Sequence, residues 1–115
     1  MAADTYNFPD HIKGDTFRGV IFEVLVNGVA VDLTAYTIKM HLRPSAPSTT
    51  LSLNLTSSIE KHDPTNGKFR INAVQIDIAP RTYYYDIEFT EGTTVRTWIS
   101  GTWTVVQDVT DITRT

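Results

Sequence analysis

The chain has 115 residues, no cysteine and a net charge of −3, with 41% hydrophobic and 20% charged residues. Such a chain forms one globular domain burying roughly two-thirds of the surface its unfolded form exposes, and it has no disulfide, thiolate metal site or thiol catalysis. The acidic balance argues against nonspecific nucleic-acid binding, and no apolar run reaches the length of a membrane span.

Residues 1–10 read as an extended arm ending at Pro9, with no basic segment followed by an apolar core, so no signal peptide is expected. Residues 14–26 read as a first long strand entered through Gly14-Asp15. Val20, Phe22, Val24 and Val26 share one face; Phe17, Ile21 and Leu25 share the other. Burial within the domain is expected for Ile21, and an edge position for Phe17. Asn27-Gly28 is a strong two-residue hairpin signal, because a type I′ turn needs positive φ at both central residues. It would pair Val26 with Val29, Val24 with Val31 and Phe22 with Leu33. The same register sets Glu23 against Asp32, so the second arm is expected to leave the ladder early.

Tyr36, Ile38, Met40 and Leu42 alternate with Thr37, Lys39, His41 and Arg43, a strand with one wet face. Residues 44–50 hold two prolines and form a loop. Leu51, Leu53 and Leu55 mark another strand, residues 61–67 a turn cluster, Phe69 and Ile71 the next strand, and Ile76 and Ile78 a short apolar piece before Pro80.

The last third alternates most clearly, from Tyr83-Tyr84-Tyr85 to Phe89, and from Val95 to Trp103. A two-residue loop at Glu91-Gly92 would set Ile87 against Arg96 and put charge on the core face. An odd loop sets Phe89 against Val95, Ile87 against Thr97 and Tyr85 against Ile99, and is preferred, since a one-residue slip exchanges the faces. Tyr84, Asp86, Trp98 and Ser100 then lie together on the outer face, with Trp103 and Val105 inward and no bulge at Gly101. Residues 108–115 form a C-terminal tail. No segment has helical spacing. About seven short strands separated by turns point to an all-β, immunoglobulin-like antiparallel β-sandwich spanning 1–115, with a small open barrel as the other possibility.

Five aromatics are candidate interface residues: Tyr6 and Phe8 on the arm, Phe17 near an edge, and Tyr84 with Trp98 outside the last hairpin. The last two can equally be covered by a loop or by the arm. Lys39, His41 and Arg43, with Lys68 and Arg70 as a companion, read as a solvated basic face. His11, His41 and His62 lack metal-ligand spacing; Asp10, His11 and Asp15 read as a surface turn, and Asp108 and Asp111 form no calcium loop. Asn54-Leu55-Thr56 is a glycosylation sequon in form only. No spacing brings a nucleophile, a base and an orienting group together, so no catalysis and no cofactor are expected.

Asp15-Thr16-Phe17, Val31 to Met40, Gly67-Lys68-Phe69 and Thr82 to Ile87 resemble a family of tailed-bacteriophage structural domains. The nearest is the immunoglobulin-like N-terminal domain of phage baseplate upper proteins, with related domains in tail and head-decoration proteins. The likeness covers roughly residues 12–107. Its departures are Ala79-Pro80-Arg81, where such domains usually carry glycine before the Thr-Tyr-Tyr stretch, and the lack of the long C-terminal region of baseplate proteins. The resemblance implies a virion protein made in the bacterial host cytoplasm, a head-decoration protein or small tail adaptor rather than a receptor-binding hub. Its partners would be capsid or tail subunits or a second copy of itself, with no nucleic acid and no membrane. Arm exchange anchored by Tyr6 and Phe8 would link copies, and deleting residues 1–8 would then weaken assembly and leave the monomer folded. The alternative is a carbohydrate-binding module stacking sugars on Tyr84 and Trp98.

Overall fold

The computed structural model describes residues 4–45 and 52–107, and these are almost wholly β, with no α-helix among them. The N-terminal arm contributes β1 (Asp4–Thr5) and β2 (His11–Ile12). The expected first strand is three pieces, β3 (Thr16–Phe17), β4 (Val20–Glu23) and β5 (Leu25–Val26), followed by β6 (Val29–Ala30). Next come β7 (Thr37–Arg43), β8 (Leu53–Asn54), β9 (Ile59–Asp63), β10 (Lys68–Ile71) and β11 (Val74–Gln75). The long hairpin β12 (Arg81–Glu91) and β13 (Thr94–Val106) closes the chain of elements, and two single 3₁₀ turns, Thr56–Ser58 and Pro64–Asn66, join strands.

The architecture is sandwich-like. One sheet runs β1-β13-β12-β7-β8, with β2 continuing the arm along β13. Opposite it stand the three-stranded β4-β10-β9 sheet and the pairs β3–β11 and β5–β6. Period-two alternation explains the layering: Ile38, Met40 and Leu42 of β7 and Tyr83, Tyr85, Ile87 and Phe89 of β12 are buried, and they join one core with Phe69 and Ile71 of β10. Phe69 meets Phe89 edge-on across the layers at 5.6 Å between ring centroids.

The Asn27-Gly28 turn forms as expected, with φ of 53° and 78°, pairing Val26 with Val29 and Leu25 with Ala30. Val31 still donates to the Val24 carbonyl, but Phe22 turns to Phe69 instead of Leu33, so the second arm does leave the ladder early.

Three expectations are corrected. First, the larger sheet is mixed, not antiparallel throughout, because both arm strands pair with β13 in parallel. Second, residues 14–26 are not one strand: β3 pairs with β11 and β4 with β10, the chain changing partners at Arg18-Gly19. Ile21 consequently points to solvent, while Phe17, on a strand paired on one side only, packs its side chain against the core.

Third, the last hairpin has a two-residue loop, Gly92-Thr93, which sets Glu91 against Thr94 and Phe89 against Arg96. A bulge then restores the inward set. Glu88 faces Thr97, but Ile87 faces Ile99, leaving Trp98 as the extra residue. Arg96 costs the core nothing, because it sits on the exposed tip beyond it. Past the bulge, Tyr85 faces Gly101 and Tyr83 faces Trp103, and Gly101 lies within regular pairing.

The arm is part of the fold. Tyr6 and Phe8 donate backbone N–H groups to the Ser100 and Thr102 carbonyls, and Lys13 donates to Val106. Phe8 is only 6% exposed and stacks on Trp103 at 4.1 Å. A Lys13–Asp77 ion pair at 2.6 Å fixes the arm's far end.

Candidate functional site

The face of the larger sheet turned away from the core carries a polar grid. Across the strands, one row runs His41, Asp86, Ser100 and Thr5; the next runs Arg43, Tyr84 and Thr102. Each of these β7 and β12 residues alternates with a buried neighbour, so the core-facing pattern of Met40, Leu42, Tyr85 and Ile87 projects the others outward. Together with Asn7, this face lines a concavity of about 520 Å³, inside the roughly 300–1,000 Å³ range of small-molecule sites.

The arm builds one wall of the concavity. Asn7 accepts, through Oδ1, the Thr102 backbone N–H at 3.1 Å and its hydroxyl at 3.2 Å. Arg81 donates to the Pro44 carbonyl at 3.0 Å, holding the segment that supplies Ser45 to the opposite rim. Across the floor, Arg43 lies 3.4 Å from His41 Nδ1, a long contact in which the guanidinium donates. Tyr84 is 43% exposed. Partial burial pushes the Asp86 carboxyl above its ordinary range and the charge of Glu88 adds to this, while His41 and Arg43 pull the other way.

The expected site residues fall into two groups. Tyr6, Phe8 and Phe17 meet inside the chain: Phe8 packs edge-on against Tyr6 at 4.9 Å and Phe17 at 5.8 Å, around Trp103. Tyr6 keeps an exposed edge. Tyr84 is on the outer face as expected, with Asp86 and Ser100, but Trp98 is not. The bulge turns Trp98 inward, to 9% exposure, against Phe89 at 4.9 Å and Tyr36 at 5.5 Å. A stacking platform of Tyr84 with Trp98 is therefore ruled out.

Lys68 and Arg70 lie on β10 in the opposite layer, so they do not extend the Lys39–Arg43 stripe; Lys39 instead faces Glu88 across the strands. The three histidines stay apart: His11 contacts the Asp15 carbonyl at 2.8 Å, His41 stands beside Arg43, and His62 is exposed on β9. Among the described residues no group of three His, Cys, Asp or Glu side chains is placed to hold a metal ion, and no helix is long and apolar enough to cross a membrane. Asn54 accepts the Thr56 N–H at 2.9 Å, a turn contact. Asp108 and Asp111 lie outside the described residues.

Sequence reasoning missed the union of the His41/Arg43 stripe with the Tyr84/Asp86 face. Each alternation was visible, but the pairing of β7 with β12 was not. It also missed the exposed apolar side chains Val29, beside the Asn27-Gly28 turn, and Val95 at the other hairpin tip, while Leu25, on the face weighed as a contact with a neighbouring subunit, is exposed. The chain matches no known protein-family model, and no curated protein matches it.

Proposed function

We propose that this chain is a non-enzymatic structural module of a bacteriophage particle, an immunoglobulin-like β-sandwich attached to other virion subunits through protein–protein contacts. The observation that carries an assembly role is the exposure of Ile21 and Leu25 on the outward side of the consecutive strands β4 and β5, with Val29 of β6, 67% exposed, on the other face of the β5–β6 hairpin. Apolar side chains of this size, displayed on neighbouring segments, fit the core of a contact surface. The virion setting comes from the family resemblance of residues 12–107. The partner class is a capsid or tail subunit or a second copy of the chain. Weak individual contacts suffice on a symmetric lattice, where effective concentration multiplies them.

Quantitative mass spectrometry of purified particles from the source organism tests this reading. A copy number comparable to the major capsid protein places the chain on the head; a small number matching tail symmetry places it in the tail or baseplate. Absence from the particle overturns the proposal. Leu25→Ser and Val29→Ser should lower incorporation while changing the stability of the isolated domain by no more than about 0.5 kcal/mol.

A further inference from the structure

We propose that the concave outer face of the larger sheet is a binding site for a neutral glycan, with Tyr84 stacking on a sugar ring and Arg43 and Asp86 gripping its hydroxyls. The site is separate from the exposed apolar residues of β4, β5 and β6 and independent of the virion setting.

The chemistry of the lining selects the ligand. Arg43 and Asp86 are opposite charges on adjacent strands and adjacent rows, so each offsets the other's pull on a phosphate, a carboxylate or an amine. An anion drawn to Arg43 would also face Asp86. The remaining polar lining is the His41 imidazole and the hydroxyl and amide groups of residues such as Ser100, Thr102 and Asn7. A peptide strand finds no backbone to pair with here, because β12 is hydrogen-bonded to β13 on one side and to β7 on the other.

A pyranose ring fits these groups. It presents an apolar C–H face and a rim of hydroxyls that both donate and accept. Tyr84 supplies a half-exposed aromatic ring beside that rim. Neighbouring strands set polar side chains about 4.8 Å apart, a separation on the scale of one sugar ring. A guanidinium and a carboxylate side by side can donate to and accept from adjacent hydroxyls at once. Asp86 tolerates a partly buried carboxylate with a raised pKa, a cost typical of groups kept for binding.

The test is an NMR titration of the ¹⁵N-labelled full chain with soluble neutral di- and trisaccharides of gluco, galacto and manno configuration. At least one should shift the amides of Tyr84, Asp86 and Ser100 in a saturable way. Tyr84→Ala should weaken that binding about tenfold or more, and Tyr84→Phe, which keeps the stacking face, should stay within about threefold. The proposal fails if no oligosaccharide moves these amides, if binding survives Tyr84→Ala unchanged, or if inorganic phosphate shifts the same amides more than any sugar does. Unchanged spectral dispersion of the variants shows that the fold is intact, and the wild-type titration decides the matter if a variant unfolds. Presence or absence in a phage particle bears on neither outcome.

Discussion

Two glycines separate two ways in which a single residue holds this fold. At Gly28 the backbone has φ of 78° and an added Cβ meets nothing within 4 Å. Only the left-handed conformation resists substitution, so Gly28→Ala should cost about 1–2 kcal/mol. At Gly101 the backbone is ordinary but an added Cβ would overlap the Tyr6 carbonyl oxygen and press on Asn7. That same carbonyl accepts the Tyr85 hydroxyl at 2.6 Å, from the residue directly opposite Gly101. Gly101→Ala should therefore unseat the arm, costing about 1–3 kcal/mol and opening residues 4–12 to limited proteolysis. Denaturant unfolding with a protease digest checks both; an arm that stays protected in Gly101→Ala would show that the contact is not limiting.

Tyr85 also fixes an alkaline limit. Its burial, and secondarily the neighbouring Tyr6, raise its pKa far above the ordinary value near 10. Burial raises Tyr83 as well, partly offset by Arg81. Above about pH 10 the unfolded chain releases these protons while the folded chain keeps them. The stabilisation is complete below that pH and is lost as pH rises further. Of the five tyrosines, Tyr83 and Tyr85 should ionise only with alkaline unfolding, read as tyrosinate absorbance alongside far-ultraviolet circular dichroism. Ionisation of all five in the ordinary range with the fold intact would contradict the burial argument.

For the individual elements, what the sequence revealed and what it concealed have distinct physical causes. Strand β7 was legible because Ile38, Met40 and Leu42 alternate with polar residues, and a period of two reports a one-sided strand directly. The Asn27-Gly28 turn was legible because its backbone needs those residue types. The bulge at Trp98 was not, since an inserted residue leaves the alternation intact on either side and shifts only the phase between them. The polar face was half legible: Tyr84, Asp86 and Ser100 follow from their own hairpin, while His41 and Arg43 join them only through long-range strand pairing. The arm was recognised as extended, but nothing local marks which strand edge receives it.

That docking changes what truncation should do. Phe8 is a core residue stacked on Trp103, not a spare anchor for a neighbouring subunit. Removing residues 1–10 should lower stability by about 3–5 kcal/mol through loss of the Phe8 side chain alone, and more through the unpaired edge of β13. Against a total of about 5–15 kcal/mol, the truncated chain should be marginal or unfolded at ambient temperature. A truncated domain with unchanged thermal stability would instead restore the view of the arm as an exchangeable tether.

Across the whole molecule, the arm joins the two ends of the described chain. The Asn7–Thr102 contact spans 95 positions, whereas β12 and β13 are joined by a two-residue loop. Loop-closure entropy makes the long connection the more expensive one to form early. The hairpin and its packing on β7 and β10 should therefore assemble first, with the arm sealing the Trp103 side afterwards. Phe8→Ala separates these steps. If the arm docks after the transition state, the loss of stability appears almost entirely as faster unfolding, with the folding rate nearly unchanged. Stopped-flow chevrons monitored by fluorescence of Trp98 and Trp103, both buried, measure the division. A folding limb slowed by most of the equilibrium loss would place the arm in the nucleus and require the chain ends to meet before the hairpin is complete.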